Sequence, residues 1–454
     1  MSGETRTRSA LLLTANFPPY GGPHRGWYIR SRTLVEALAR DGWNVSVVAL
    51  YRTRMWDSPV ESDRVQHRWV RHLPTLQDHV PITERTGAAR VGAFVLRAVR
   101  EALSYLLGDT LPLSLGGFRR HARAMLRAGP VDLVVVSTPP HGLLGIVPWI
   151  RRIAGSAATL IVDLRDPCTF GHRFMAKASP LGRALLSRYE RRAFGTADEV
   201  WVVSKGMRDR YLEKYPEAAD RIRIVENGYI EYPSLPDCDR RLAEFVEEQH
   251  ADGRHVLAFF GSGFFGAKSA KGKRLNILGR LAREFPEIGR AAAFVLQGEI
   301  SGDSDVAPAT LLKVPPAPNA QARANMRAAD AGLAVYDNET DADLVLGGKL
   351  YDYLAASLPI WILAPANAAS FREFETRFPK QVVFSDINDD AALRTGFDRI
   401  TTLADERRRD PESCGLRQTE LSAYERARVF DWAIRAARKQ QAARVTSAVL
   451  SGDA

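Results

Sequence analysis

Short apolar segments alternate with helix-like patterns along most of the chain. In the helix-like patterns apolar residues recur every third or fourth position, whereas the short segments are apolar for most of their length. The short segments predict strands at residues 9–15, 44–50, 131–137, 158–163, 199–203 and 222–225, and again at 255–260, 292–297, 310–314, 331–335, 359–363 and 381–384. Strands joined by helices are typical of βαβ units. The pattern therefore predicts an α/β fold with parallel sheets.

Two domains are expected, because 454 residues are too many for one ordinary hydrophobic core. The alternation restarts after VENGYIEYPSLPDCD, residues 225–239, a proline-rich piece that suits a hinge. The pattern thus predicts one doubly wound domain at residues 1–235 and a second at 236–416. A last helical segment within 417–454 is long enough to cross back to the first domain. Ligands of such sheets bind at the carboxyl ends of the strands, so two facing domains would form a cleft.

The net charge of +10 is unevenly distributed between the two halves of the chain. Residues 1–235 hold 34 Lys and Arg against 22 Asp and Glu, a net +12, which leaves −2 for the remainder. Such an excess suits nucleic acid, an anionic membrane or an anionic substrate, and no DNA or RNA motif accompanies it. We favour the membrane or the substrate and expect no nucleic-acid partner. The alternative is that the arginines only form solvated surface.

No targeting or metal-binding pattern stands out. No uncharged apolar run reaches the length of a membrane span, and the first residues, MSGETRTRSA, lack the apolar core of a signal peptide. We expect a cytoplasmic protein, with peripheral contact at the inner face of the membrane left open. The three cysteines, Cys168, Cys238 and Cys414, are too scattered for a disulfide framework or a zinc site.

An amphipathic helix is predicted at TGAARVGAFVLRAVREALSYLL, residues 86–107. Its pattern sets apolar residues against cationic ones: Phe94, Val95, Ala98, Leu103 and Leu106 against Arg90, Arg97 and Arg100. Such a helix can lie on a membrane surface. It can equally pack its apolar face into the core and expose the arginines. We favour the second interpretation.

Two glycine pairs lie where a strand gives way to a helix. In LLLTANFPPYGGPHRGW, residues 11–27, Gly21 and Gly22 let the backbone approach a ligand and leave N–H groups facing it. In GGKLYDYLAASLPIWIL, residues 347–363, Gly347 and Gly348 open a helix that carries Lys349 and Asp352 in its first turns. This second arrangement suits a nucleotide diphosphate: glycine N–H groups and the lysine hold phosphate, and the carboxylate accepts ribose hydroxyls. The alternative is an ordinary helix with an exposed aspartate.

Polar residues also follow two strands of the first half. IVDLRDPCTF places Asp163, Arg165 and Asp166 at a strand end, where an arginine between carboxylates can orient acceptor hydroxyls or the sugar. A salt-bridge cluster that holds the loop is the alternative. His141, in STPPHG, can hydrogen-bond a donor hydroxyl or be a loop histidine of no consequence.

The order and spacing of several motifs resemble the retaining glycosyltransferases of the GT-B fold, of the glycosyltransferase family 4 type. The motifs span most of the chain: NFPPYGGPHRG, DGWNVSVVAL, DLVVVSTPPHG, IVDLRDP, ADEVWVVSKGM, RIRIVENG and KLYDYLAASLPI. The resemblance implies two Rossmann-like domains facing a central cleft, the N-terminal one for the acceptor and the C-terminal one for the nucleotide-sugar donor. It implies an enzyme that transfers a sugar to an acceptor hydroxyl with retained anomeric configuration, with no cofactor and no required metal.

The resemblance also assigns roles to individual residues. Gly21 and Gly22 match the family loop that touches the donor diphosphate and the acceptor. Lys271 matches the lysine that neutralises the leaving diphosphate, with Lys268 and Lys273 as close substitutes. Asp352 matches the second acid of the family E-x7-E motif, which binds ribose. The candidate catalytic residues are therefore Gly22, His141, Asp163, Arg165 and Lys271, and the candidate donor-binding residues are Gly21, Gly261, Lys268, Lys273, Gly347, Gly348, Lys349 and Asp352.

The sequence also departs from the family pattern. Leu344 stands where the first acid of the motif is usual, and Ser262 and Gly263 stand where an arginine commonly precedes the lysine. Because many relatives build cell-surface polysaccharide on a membrane carrier, we expect a lipid-linked glycan or a secondary metabolite as the acceptor. Two alternatives stay open: a nucleotide-sugar isomerase or hydrolase on the same fold, and a non-catalytic relative that binds nucleotide.

Overall fold

The structure of the protein, a computed structural model, describes residues 7–20, 28–52, 55, 58–72, 87–170, 175, 178–261, 263–264, 277–298, 300–301, 306–336, 344, 346–410 and 418–451. The chain divides into two compact units. The first unit combines Met1–Glu226 with Arg426–Ala454, and the second is Asn227–Glu425. The first unit is thus built from both ends of the chain. The predicted domain boundary lay at residue 235, and the acceptor and donor roles of the two domains stay predictions.

The first unit is built on a parallel sheet. Within the described residues its strands are β1 (Ser9–Thr14), β2 (Asn44–Leu50), β3 (Val65–Val70), β4 (Leu133–Thr138), β5 (Thr159–Leu164), β6 (Glu199–Val202) and β7 (Ile222–Ile224), in the order β3-β2-β1-β4-β5-β6-β7. The register pairs Leu12 of β1 with Val47 on one side and Val135 on the other. These central strands are apolar because helices cover both of their faces.

The helices of this unit are α1 (Ile29–Arg40), α2 (Gly87–Leu107), α3 (Leu115–Ala128), α4 (Val147–Ala154), α5 (Pro180–Thr196) and α6 (Lys205–Lys214). Short 3-10 turns lie at Leu111–Ser114, His141–Ile146 and Pro216–Ala218. The last helix of the chain, Arg426–Ser451, packs against α1 and buries Phe430 and Ala433 in the same core as Trp201. The rings of Trp201 and Phe430 stack with 6.2 Å between their centroids.

The second unit is built on another parallel sheet. Among the described residues its strands are β8 (His255–Phe260), β10 (Ala292–Gln297), β12 (Leu311–Val314), β13 (Ala331–Val335), β14 (Ile360–Ala364) and β15 (Val382–Asp386), in the order β12-β10-β8-β13-β14-β15. Two very short strands, β9 (Gly263–Phe264) and β11 (Ile300–Ser301), pair separately. The helices that flank this unit's sheet are α7 (Arg240–Ala251), α8 (Ile277–Glu284), α9 (Pro286–Ala291), α10 (Asn319–Ala328), α11 (Gly348–Ala355), α12 (Ala369–Arg377) and α13 (Asp390–Arg409). A 3-10 turn at Pro308–Thr310, the short α14 (Gln418–Leu421) and a 3-10 turn at Ser422–Tyr424 complete it, and α15 is the last helix, Arg426–Ser451.

Each predicted strand is present, so the α/β fold class is confirmed. The strand β3 was not predicted, because its sequence VQHRWV carries polar residues at its centre, of which Gln66 and Arg68 are exposed, as an edge strand allows.

The interpretation favoured for the helix at 86–107 is wrong for the described residues. Six apolar side chains of α2 point outward: Val91, Phe94, Val95, Val99, Tyr105 and Leu106 are between 45% and 65% exposed. Arg100, in contrast, is only 20% exposed and donates to Glu101. None of the helices in the described part of the chain is long and apolar enough to cross a membrane.

Candidate functional site

The amino end of α11 is the centre of the candidate site in the second unit. Gly347 precedes the helix with extended backbone, and no side chain caps the helix there. A Cβ atom at Gly347 would lie 2.9 Å from the Tyr336 hydroxyl, so the close approach of these two segments depends on glycine. The first N–H groups of an uncapped helix carry partial positive charge. This end of α11 can therefore accept an anion, as the Gly347 and Gly348 pattern predicts.

Lys349 adds a full positive charge to this helix end. Its ammonium nitrogen lies 4.2 Å from the ring centroid of Phe259 and 5.2 Å from that of Tyr336. Burial against these rings lowers the pKa of Lys349 to about 8. In the part of the chain that the structure describes, no carboxylate pairs with this ammonium. A cation is disfavoured at a helix amino end, so the arrangement is electrostatically unbalanced until an anion binds.

One turn further along α11, Asp352 pairs with Arg323 of α10. Nη2 of Arg323 lies 2.5 Å from Oδ1 of Asp352. Arg323 is buried, donates to the carbonyl of Ile230 over 2.7 Å, and lies over the rings of Tyr229 and Tyr232. Asp352 keeps 31% of its side chain exposed, so its carboxylate is oriented by the arginine and still accessible.

Arg323 was missed by sequence reasoning. It lies 29 residues before its partner on a different helix. No spacing pattern in the sequence links the two positions, and only the packing of α10 beside α11 brings them together.

Tyr353 fixes α11 to the sheet. Its hydroxyl accepts from the N–H of Phe260 and donates to the carbonyl of Leu333, each over 3.1 Å. These bonds tie the helix to β8 and β13 at once. Gly261 follows β8 directly, with φ of +133°, a conformation that favours glycine. Its N–H donates to the carbonyl of Gln297 over 2.9 Å, so it continues the pairing of β8 with β10.

Leu344, which stands in place of the usual first acid, is buried.

In the first unit, Asp163 of β5 is enclosed by polar partners. Nε of Arg30 lies 3.1 and 3.2 Å from its two carboxylate oxygens, and Nη2 lies 2.9 Å from Oδ1. The hydroxyl of Ser137 donates to Oδ2 over 2.8 Å. Asp163 is 1% exposed and Arg30 is 2% exposed. This geometry agrees with the salt-bridge alternative, and the acceptor-orienting role of Asp163 stays a prediction.

Arg165 and His141 lie beside this pair. Arg165 is also buried, and it donates from Nε to the carbonyl of Thr138 and from Nη2 to that of Pro139, each over 3.1 Å. It therefore holds the loop that leads to His141. His141 is 1% exposed. Burial and the charge of Arg165 lower the pKa of His141 to about 3, so the imidazole is neutral at ordinary pH.

Asp109 is a second functional candidate that sequence reasoning missed. Its carboxylate accepts from the N–H of Gly142 over 2.6 Å and from that of Leu111 over 2.8 Å. Burial raises the pKa of Asp109 to about 6, against the opposing effect of these hydrogen bonds. The local sequence around Asp109, GDT, carries no polar pattern that would indicate a site.

The remaining predicted residues lie outside the described residues: Gly21, Gly22, Lys268, Lys271 and Lys273. The structure brings His141, Asp163 and Arg165 together in the first unit. It brings Gly347, Gly348, Lys349 and Asp352 together in the second, with Gly261 at the end of the adjoining strand.

Comparison with known proteins gives one family match and one curated relative. Residues 26–228 match the model of the glycosyl transferase 4-like domain. The alpha-maltose-1-phosphate synthase of Mycolicibacterium smegmatis is 35% identical over 124 residues, which are 25% of this chain and 31% of that protein. The matched segment thus spans about a third of the length of this relative.

Solved structures resemble the chain over nearly its whole length. The trehalose-6-phosphate synthase OtsA has a TM-score of 0.60 at 13% identity, with 95% of this chain and 99% of that one covered. A structure described as trehalose-6-phosphate from E. coli bound with UDP-2-fluoro glucose has a TM-score of 0.56 at 11% identity, with 95% and 99% covered. At such low identity the likeness shows the fold alone.

These matches confirm the resemblance to glycosyltransferases of the GT-B fold and family 4 type, and the retaining mode stays a prediction. Residues 26–228 are similar to the glycosyl transferase 4-like domain, and the chain has the fold of the GT-B glycosyltransferases.

Proposed function

We propose that the protein is a retaining glycosyltransferase that moves a sugar from a nucleotide-diphosphate donor to an acceptor hydroxyl. The donor diphosphate binds at the amino end of α11 in the second unit. The acceptor, a lipid-linked glycan or a secondary metabolite, is bound by the first unit. The family match to residues 26–228 supports glycosyl transfer, and the observation that carries the donor site is the environment of Lys349.

Lys349 and the helix end suit the chemistry of the leaving group. When the bond between the sugar and the phosphate breaks, negative charge grows on the phosphate oxygens. A fixed ammonium and oriented N–H groups stabilise that charge more in the transition state than in the bound donor. Lys349 has no described counter-ion and is partly withdrawn from water, so it interacts strongly with an incoming diphosphate. Five further residues remain predicted to stabilise the negative charge of the diphosphate: Lys268, Lys271, Lys273, Gly21 and Gly22.

Asp352 suits the ribose of the donor. One carboxylate oxygen is held by Arg323, and the exposed remainder of the side chain can accept two neighbouring hydroxyls. Arg323 acts through Asp352 and is a positioning residue. A relative of the same fold was solved with UDP-2-fluoro glucose bound, which supports a nucleotide sugar as the ligand class.

The first unit contributes the loop after β4 and the end of β5. His141 stays a predicted contact of a donor hydroxyl: its imidazole is neutral, so such a contact leaves its charge unchanged, although the ring is only 1% exposed. No general base is required in our proposal, because the leaving phosphate can take the acceptor proton itself. The proposed reaction also needs no metal, because lysines and helix N–H groups would balance the negative charge of the diphosphate.

A peripheral membrane contact through the first unit is part of the proposal. The outward apolar side chains of α2, together with the basic excess of residues 1–235, suit a bilayer that carries anionic lipid. Contact of this kind would bring the enzyme to a lipid-linked acceptor.

The test is calorimetric binding of UDP, GDP, dTDP and ADP, each with and without magnesium. Wild type should bind one nucleotide independently of magnesium, and Lys349→Met should weaken that binding at least about tenfold, because one charge-assisted contact is lost. Lys380→Met is the matched control, since Lys380 is an exposed lysine of the same unit.

Absence of binding to all four nucleotides, or equal weakening in the two variants, contradicts the donor site. Donor hydrolysis without an acceptor, faster than any transfer, would replace the transferase with a hydrolase on the same fold.

A further inference from the structure

The first unit carries a pocket whose lining residues are far in sequence from the proposed donor site. It lies among α3, α4 and α5 and has a volume of about 300 Å³. Three arginines line it, one from each helix: Arg119, Arg152 and Arg192. The rings of Trp149 and Tyr189 line it as well.

None of the three arginines forms an ion pair with a carboxylate in the described part of the chain. The neighbouring Arg151 shows the contrast, because it pairs with Asp198 and donates to the carbonyls of Gly155 and Ala158. Helices α3 and α4 contain no acidic residue at all. Three guanidinium groups around one cavity repel each other, and an anion in the cavity would relieve that repulsion.

The aromatic side of the pocket is held in place by packing. Tyr189 lies so close to the 3-10 turn that a Cβ atom at Gly145 would be 2.9 Å from its ring. Arg123 lies over the ring of Trp149, 5.5 Å from its centroid, and makes a cation–π contact with it. Both aromatic residues are partly exposed, so each offers a ring face or edge to a ligand.

We propose that this pocket binds the phosphate of an organophosphate, with Arg119, Arg152 and Arg192 around the phosphate and Trp149 against the organic part. Guanidinium groups match phosphate geometry and form bidentate hydrogen bonds with it. The aromatic rings favour a ligand with an apolar or sugar-like portion beside its phosphate. The headgroup of an anionic lipid and a free soluble organophosphate both have this chemistry. The proposal does not depend on glycosyl transfer.

The experiment must report on this pocket alone, because a phosphate compound could also bind near Lys349. The full chain is labelled with 5-fluorotryptophan, and the ¹⁹F resonance of Trp149 is assigned by its absence in Trp149→Phe. In the soluble arm, sn-glycerol 3-phosphate is titrated and the Trp149 resonance is followed. In the vesicle arm, cosedimentation with phosphatidylglycerol vesicles is compared with cosedimentation with phosphatidylcholine vesicles.

Two triple variants with the same change of charge separate the pocket from general attraction. The pocket variant is Arg119→Gln, Arg152→Gln and Arg192→Gln, and the control variant is Arg127→Gln, Arg188→Gln and Arg191→Gln, which changes exposed arginines of α3 and α5 outside the pocket. If the vesicles contact only α2, the two triple variants should cosediment with them to the same extent.

A saturable shift of the Trp149 resonance that weakens at least about tenfold in the pocket variant only supports the proposal, with a soluble ligand. Loss of phosphatidylglycerol binding in the pocket variant only supports it with a lipid headgroup. No binding by wild type in either arm, or equal loss in the two triple variants, overturns it.

Discussion

Arg323 and Asp352 join neighbouring helices of the second unit, with 2.5 Å between Nη2 of the arginine and Oδ1 of the aspartate. Arg323 is almost completely buried, whereas Asp352 is partly exposed. The bond therefore links a buried anchor to an accessible carboxylate. This orientation restricts Asp352 to the position where our proposal needs a ribose ligand.

Asp352→Asn and Arg323→Gln should each weaken nucleotide binding, by about tenfold or more, because each removes the oriented carboxylate from the ribose. The double variant should bind no more weakly than the weaker single variant, since both changes break one unit. Calorimetry measures nucleotide binding by wild type, the two single variants and the double variant, and thermal unfolding checks that each variant is folded. Fully additive losses would separate Arg323 from the function of Asp352.

Lys349 should take up a proton when the nucleotide binds. Its pKa of about 8 makes it about half charged at pH 8 in the free protein, and a bound diphosphate raises the pKa again. Calorimetry at pH 8 in buffers of different ionisation enthalpy should therefore show uptake of up to about half a proton. Lys349→Met should bind more weakly and without uptake. A buffer-independent enthalpy for wild type at pH 8 would refute this linkage.

Asp163→Asn should destabilise the protein, by roughly 3–5 kcal/mol, because Arg30 would keep a buried charge without its carboxylate. Urea unfolding measures the loss. Asp220→Asn serves as the control, since the Asp220 side chain is 60% exposed, and it should change the free energy of unfolding by less than about 1 kcal/mol. A stable Asp163→Asn variant that has lost activity would instead support the acceptor-orienting role.

His141 should make the protein less stable as the pH falls. Its pKa is about 3 when folded and 6.5 ordinarily, so between these values the unfolded chain binds the proton and the folded protein does not. Stability contributed by the neutral imidazole is thus complete above 6.5 and is lost progressively toward pH 3. His141→Gln should show a flatter dependence of unfolding free energy on pH over this range.

Asp109 provides an internal check with the opposite sign. Its folded pKa of about 6 lies above the ordinary 3.8, so the folded protein holds this proton more tightly and loses stability as the pH rises from 3.8 to 6. In Asp109→Asn this opposing effect is absent, so the free energy of unfolding should fall more steeply than in wild type as the pH is lowered. Identical pH profiles for wild type and both variants would contradict the burial of these two groups.

Phe94→Ser should reduce cosedimentation with phosphatidylglycerol vesicles and leave the free energy of unfolding nearly unchanged, because Phe94 is 65% exposed. Leu113→Ser is the matched control, since Leu113 is 52% exposed and lies outside α2. Unchanged vesicle binding in Phe94→Ser would remove α2 from the proposed membrane contact.

Most strands of the two large sheets were predictable because each is a short, largely apolar segment next to helical spacing, whereas the polar edge strand β3 was not predictable in this way. Four site residues were also predictable, because they adjoin along one short segment: Gly347, Gly348, Lys349 and Asp352. Contacts between distant segments were not predictable. Nothing near Asp163 in sequence indicates Arg30, and the outward face of α2 depends on which side of that helix packs against α5. An amphipathic pattern specifies two faces and does not specify which of them is covered.

The return of α15 to the first unit has a consequence for how the protein is made. Phe430, which lies over the Arg30 guanidinium and beside Trp201, leaves the ribosome only after the whole second unit has been synthesised. Until then the nascent first unit exposes the apolar surface that α15 will cover. A fragment that ends at Glu226 has the same defect permanently, so we expect it to aggregate unless residues 426–451 are supplied on the same chain or in trans.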